Sequence, residues 1–221
     1  MKLFTKISLT IIGLIYLAEK IYPNKKHDNQ IKHDISNVIV GIENRVINQI
    51  IVKKTYSLFD KAKESNFGLL RQIKINSIFE LIISLLIIDL FMYWWHRLNH
   101  ENDFLYKFHN FHHLEKDLNS TSAIKFHFME ITLSSLVRFL VLLPLGIDKK
   151  HIDFYEKILS LVIAFNHSNI KISNEANILF NIFIVSPKMH RIHHSDNIIE
   201  SNSNYSSVLP IWDIVFNSYT P

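Results

Sequence analysis

Residues 78–100 read IFELIISLLIIDLFMYWWHRLNH. A run this long and apolar predicts a helix that spans a membrane, and its end brings two histidines four residues apart to the mouth of that span. Tyr93, Trp94 and Trp95 have the pattern of an aromatic belt at the water interface. Between Ile78 and Trp95 the charges are Glu80 and Asp89, and a carboxylate at such depth is costly unless paired.

The histidines do not stop there. His96-Arg-Leu-Asn-His100 is followed by His109-Asn-Phe-His112-His113 and, much later, by His190-Arg-Ile-His193-His194. Two HxxHH matches are far more than chance supplies in a chain with 13 histidines. Residues three and four apart share a helix face, so each group presents its imidazoles in one direction. Neutral imidazole is a common ligand of zinc, copper, iron and nickel. Eight to ten nitrogens oversupply one tetrahedral ion and suit two ions with four or five ligands each. A plain core of histidines would require a separate hydrogen-bond partner for every ring.

Outward from this centre the chain alternates apolar and basic stretches. Ile7 to Ala18, behind Lys2 and Lys6, lacks a small-residue cleavage site and reads as an uncleaved anchor or an interfacial first helix. Val38 to Val52 reads as an amphipathic or in-plane helix. Ile131 to Ile147 is apolar apart from Arg138; a polar turn over Asp148 to Asp153 follows, then Phe154 to Phe165, and Ile178 to Val185 ahead of Pro187. A hairpin made of the two middle runs enters and leaves the membrane, returning the third histidine group to the side of the first two. The predicted fold is all-α: an integral membrane helical bundle with a histidine-rich dimetal cap at the membrane surface. Residues 1–75 form an anchor and basic amphipathic region, and residues 76–221 the catalytic domain.

Composition narrows the classes. Four glycines and five prolines in 221 residues favour long helices. The absence of cysteine excludes disulfides, thiolate zinc sites, iron–sulfur clusters and cysteine nucleophiles. The net charge of +4 comes from lysines set between apolar runs, at Lys25 and Lys26, Lys53 and Lys54, and Lys61 to Lys74. That placement suits lipid headgroups rather than nucleic acid, and it favours a cytoplasmic side for those loops and for the histidine cage.

Flanking residues extend the site. Asp89, Tyr93, His96 and His100 share a helix face, so Asp89 is expected to accept a ligand histidine's N–H and orient its ring. Glu101 is read as an oxygen ligand, a general base or a solvated surface residue. His167, in Phe165-Asn-His-Ser-Asn169, falls where the returning helix reaches the cage and is read as a further ligand. His127, with Glu130 one turn later, stays open between ligand and bystander. His27, His33 and His151 read as ordinary surface residues in charged loops.

The order Asp89-x-x-x-Tyr93-Trp-Trp-His96-Arg-x-x-His100, His109-x-x-His112-His113, Phe126-His127-x-x-Glu130, Asn166-His167-Ser-Asn169 and Pro187-x-x-His190-Arg-x-His193-His194-Ser195 resembles the fatty acid hydroxylase superfamily, most closely its bacterial sterol-desaturase-like branch. Asn204-Tyr205 and Leu209-x-x-Trp212-Asp213-x-x-Phe216 look like that branch's closing motif, and the likeness runs from about Phe79 to Tyr219. The resemblance implies a membrane oxygenase with two metal ions held by His96, His100, His109, His112, His113, His167, His190, His193 and His194. Iron is the expected metal, although members can be isolated with zinc, and zinc has no redox chemistry with which to activate O2. The implied substrates are lipids (sterols, fatty acyl chains, ether lipids or carotenoids), entering between the helices that end at Trp95 and start at Ile131. Electrons are expected from a separate reductase. The chain departs from the family pattern at Ser206, where a glycine is usual, and at Asn217-Ser218, where Gly-Thr is usual; both bear on the packing of the cap rather than on the ligands. The alternative is a non-catalytic membrane metal-binding or metal-transport protein. Transport favours mid-span ligands, whereas these lie at helix ends. Bis-histidine haem asks for single histidines on facing helices, not triplets, and a dizinc hydrolase would usually bring carboxylates into the clusters.

Overall fold

The computed structural model describes residues 2–26 and 29–221; His27 lies outside the described residues. Among the described residues ten α-helices follow one another: α1 (Lys2–Ile21), α2 (Gln30–Glu64), α3 (Ser77–Glu101), α4 (Asp103–His113), α5 (Phe128–Leu145), α6 (Lys149–Asn166), α7 (Asn174–Phe180), α8 (Pro187–His193), α9 (Ile198–Ser201) and α10 (Ile211–Val215). Among the described residues the nearest approach to a sheet is one isolated bridge between Pro23 and Ile170. α2 packs on α5, α1 on α6, and α3 on both α4 and α6.

Side-chain caps set the boundaries. Asn76 Oδ1 accepts from the Ile78 amide at the start of α3 (2.8 Å). Asn102 closes α3 and caps α4, accepting from the Phe104 and Leu105 amides (both 3.1 Å). It thereby turns the chain so that the histidines of α3 and α4 face each other. Ser186 caps α8 ahead of Pro187 at its first turn, which starts the helix carrying the third histidine group.

Several sequence expectations change here. The amphipathic stretch Val38 to Val52 is the middle of the much longer α2. The polar turn predicted over Asp148 to Asp153 is a cap and a first helical turn: Asp148 accepts from the Lys150 amide, and α6 starts at Lys149. His151 is consequently buried on α6 and bonded to Ser84 (3.0 Å), not a surface loop residue. His33 is half-buried on α2 and pairs with Glu115 (2.8 Å). The aromatic belt dissolves too: Tyr93 and Trp95 are buried and only Trp94 is exposed, because α3 turns the first and third of these aromatics into the bundle. Lys25 lies beside Asn169, near the histidines, whereas Lys74 precedes the far end of α3. The basic stretches therefore sit at both ends of the bundle, and charge alone does not put them on one side.

The core gathers Phe59, Ile88, Leu142, Ile147, Ile152, Tyr155, Val162 and Val208. Arg138, the lone charge in its apolar run, is paired with Glu156 across α5 and α6 (2.7 Å). The N-terminal helices latch onto the histidine end. Fully buried Glu19 accepts from Ser120 N (2.9 Å), Ser120 Oγ (2.9 Å) and Asn169 N (3.1 Å). Asp34 accepts from Lys20 (2.7 Å), Tyr16 (2.9 Å) and Asn119 (2.9 Å). These bonds tie down the 115–125 loop and the segment after His167.

At the other end two glycine backbones touch. Gly68 has φ +114° and Gly146 φ +78°, and a Cβ on Gly68 would stand 2.3 Å from Gly146 Cα. Gly68→Ala combines a disallowed φ with a backbone clash, each costing roughly 1–3 kcal/mol. The melting temperature should fall by at least several degrees. Gly13→Ala on α1, where an added Cβ meets nothing within 4 Å, should leave it unchanged or slightly higher.

Candidate metal centre

The structure brings together all nine histidines to which the sequence points. They fall into two sets whose potential ligand atoms lie within 4.8 Å of one another: His96, His100, His109, His113 and His193, and then His112, His167, His190 and His194. Each HxxHH group is divided between the sets. α4 gives its i, i+4 pair, His109 and His113, to the set of five and His112 to the set of four. α8 and the residue after it do the reverse, giving His190 and His194 to the set of four and His193 to the set of five.

Hydrogen bonds decide which ring nitrogen faces inward. His96 Nδ1 donates to the Tyr205 carbonyl (2.7 Å), His112 Nδ1 to Lys125 (2.9 Å), His167 Nδ1 to Ile163 (2.8 Å) and His193 Nδ1 to Ser203 (2.7 Å). A carbonyl can only accept, so each of these Nδ1 atoms carries the proton and each Nε2 a lone pair. His109 Nδ1 is oriented the same way by the Glu130 carboxylate (2.8 Å). The Nε2 atoms then oppose one another: His96 to His109 at 3.1 Å, His96 to His193 at 3.0 Å, and His109 to His113 at 3.1 Å. In the second set His167 stands 3.1 Å from both His112 and His190. Both nitrogens of His194 and Nδ1 of His190 find no partner among the described residues. Lone pairs facing lone pairs are repulsive until a cation lies between them. Two nitrogens each about 2.1 Å from one ion, at right angles to each other, stand about 3.0 Å apart. The donor sets therefore fit metal ions.

Protonation does not compete. Burial, and secondarily the neighbouring imidazoles, hold His112, His113, His190, His193 and His194 well below the ordinary histidine value of 6.5. Burial lowers His167 to about 4. Neutral rings are the ligand form, so no proton has to be displaced near neutral pH.

The flanking residues are placed differently from the sequence reading. Asp89 is buried, but no histidine among the described residues donates to it. Its carboxylate accepts from the Tyr155 hydroxyl, Trp212 Nε1 (2.8 Å) and the Leu209 amide (3.2 Å). It thus fastens α3 to α6 and to the C-terminal segment that supplies the Tyr205 carbonyl, one step behind the site. Glu101 is exposed and pairs with Arg97 (2.7 Å), outside both histidine sets. His127 caps α5 through Nδ1 and packs on Phe108, away from the sets. The carboxylate that does touch a ring is Glu130, which the sequence reading held only as a neighbour of His127. Its signal was its place in the first turn of the helix after the second histidine group.

The closing motif absorbs its departures at Asn217 and Ser218, whereas the buried Ser206 Oγ finds no hydrogen-bond partner among the described residues. Asn217 takes a left-handed conformation, φ +53°, where glycine is usual and asparagine is tolerated. Ser218 Oγ bridges Asp213 (2.7 Å) and Tyr93 (2.8 Å). Asp213 accepts the Tyr205 and Ser206 amides (2.8 and 2.9 Å), seating the strap that carries the Tyr205 carbonyl.

A cavity of about 260 Å³ opens beside both sets. His96, His109, His112, His167 and His190 form one wall, and Met92, Trp95, Ile131, Leu159 and Ile163 line its apolar part between α3, α5 and α6.

The described residues thus form a helical fold with two histidine sets that could each hold a metal ion. It belongs to the fatty acid hydroxylase family, whose profile matches residues 81–218. It is 27% identical over 141 residues to an ornithine lipid hydroxylase of Rhizobium tropici, covering 64% of this chain and 42% of the relative. Alkylglycerol monooxygenases of Xenopus tropicalis and Homo sapiens are 29% and 27% identical over 136 and 134 residues, covering 61% and 60% of this chain and 29% and 28% of theirs. The chain thus spans less than half the length of these relatives. No solved structure matches.

Removing the acceptor from His109 should weaken metal binding about 10–100-fold. Glu130→Ala is expected to lose metal first under a chelator titration read by metal-to-protein ratio. Glu130→Gln should lose less, because an amide oxygen can still accept. Glu101→Gln should match the parent.

Proposed function

We propose that this chain is a membrane-bound oxygenase in which two iron ions, held by the sets of five and four histidines, hydroxylate or desaturate a lipid using O2. The observation that carries the reading is the opposition of imidazole lone pairs beside an apolar cavity. Iron bound there would supply the O2-activating redox chemistry that zinc lacks. Zinc in an iron-replete preparation, with no O2 uptake, would contradict it.

The chain's own residues do the rest. Tyr205, Ser203, Lys125 and Ile163 fix four rings through backbone carbonyls, and Glu130 fixes a fifth, so the ligand shell is set before substrate arrives. Phe126 stacks on His112 with ring centroids 4.1 Å apart and closes the wall. Met92, Trp95, Ile131 and Ile163 exclude water from the space in which a C–H bond would be presented.

Two helices support membrane residence. Among the described ones, α3 and α5 are long and apolar enough to cross a bilayer. Ile78, Phe79, Ile82 and Leu86 of α3 and Leu136, Leu140 and Val141 of α5 expose their side chains, as a lipid-facing surface would. A lipid chain would enter the cavity from the bilayer between Trp95 and Ile131. The histidine cage is assigned to the cytoplasmic side, where a separate reductase can deliver electrons. The substrate is a lipid of the classes the family handles, with the relatives' ornithine lipid and alkylglycerol as the first to try.

Lipid extracts of cells expressing the parent chain should contain an oxidised lipid that is absent with His112→Ala and present with Glu101→Gln. Identical lipid profiles for parent and His112→Ala would overturn the lipid oxygenase.

A further inference from the structure

Asn166 is 1% exposed and lines the cavity immediately before the ligand His167. The orientation of its amide is determined. His167 Nδ1 donates to the Ile163 carbonyl (2.8 Å) and therefore carries the proton, so the Asn166 atom 2.7 Å from it is the accepting Oδ1. The amide nitrogen Nδ2 is left with no hydrogen-bond partner among the described residues. Of the other polar groups of the cavity, Ser135 Oγ donates to Asn48 (3.1 Å) and Arg138 is paired with Glu156, while Glu130 Oε2, which can only accept, and Ser206 Oγ also find no hydrogen-bond partner among the described residues. A buried amide donor without an acceptor is costly, and in an apolar cavity it discriminates for a ligand that brings one.

We propose that Asn166 positions the substrate by donating from Nδ2 to an oxygen of the lipid, which rests on the lipid-oxygenase reading above. The preferred substrate then carries an acceptor oxygen (hydroxyl, ether or carbonyl) next to the carbon presented to the histidines, in place of an unsubstituted stretch of methylenes. The same side chain holds His167 through Oδ1, so one residue couples the place of the substrate oxygen to the orientation of a ring in the set of four.

The test uses the full chain in detergent micelles and two probes of matched length, octadecyl methyl ether and eicosane, with dissociation constants read by native mass spectrometry. The parent should prefer the ether by about tenfold, the scale of one hydrogen bond that is otherwise left unmade. Asn166→Leu and Asn166→Asp should both erase the preference. Asn166→Asp keeps an oxygen for His167 Nδ1, so its metal content should match the parent's, which separates loss of the donor from displacement of the ring. Equal binding of the two probes by the parent, or a preference that survives in both variants, would overturn the proposal. Binding of neither probe would overturn the lipid-oxygenase reading and this proposal with it.

Discussion

Imidazole nitrogens that face one another at 3.0–3.1 Å, with the protons of five of the rings turned outward, are the constraint on which the rest of the structure depends. The arrangement is repulsive by itself and becomes favourable around cations. The fold holds it in place by ordinary means. Backbone carbonyls of Tyr205, Ser203, Lys125 and Ile163, and one carboxylate, Glu130, take the outward protons. The carbonyls come from segments that are themselves pinned. Asp213 and Asn204 seat the C-terminal strap, accepting the Tyr205 amide and binding the Met189 and Thr220 carbonyls. Glu19 seats the 115–125 loop and the residues after His167. The N-terminal helix, outside the matched family region, thus contributes to the ring geometry through buried hydrogen bonds.

The two HxxHH groups have a structural logic that a single ion would not need. A helix carrying histidines at i, i+3 and i+4 directs its outer pair and its middle ring to slightly different points, because successive residues are about 100° apart. α4 and α8 exploit this in opposite senses, so each contributes to both sets. His96 and His100 of α3 complete one set and His167 at the end of α6 the other. Burial keeps His112, His113, His167, His190, His193 and His194 in the ligand-ready form, and the apolar cavity beside the sets would let a hydrocarbon chain approach while water is kept out.

What could be read from the sequence was local. Histidines three and four apart on a helix share a direction whatever the fold, so the eight clustered candidates were visible before the structure, and His167 by its place where the returning helix reaches them. The long apolar run ending at Trp95 likewise announced α3. Pairings between distant elements were not visible. Asp89 lies on the same helix face as His96, which invited a direct bond. Tyr155, 66 residues on, and Trp212, 123 residues on, take its carboxylate instead. Glu101 adjoins His100 in sequence, yet neighbours on a helix diverge by about 100°, and it points to Arg97 and solvent. His151 looked like loop charge because its flanking lysines and aspartates are the cap and first turn of α6. The unpaired amide of Asn166 could be recognised only once the partner of His167 Nδ1 was known.

The central claim is that nine histidines form two metal sites in one chain. Its most direct test is the metal content of protein purified from iron-replete cells, read together with its absorption spectrum. The account predicts two iron ions per chain, no Soret band, and one ion per chain when a ring of only one set is removed, as in His100→Ala. One ion per chain in the parent, no bound metal, or a haem spectrum would contradict it.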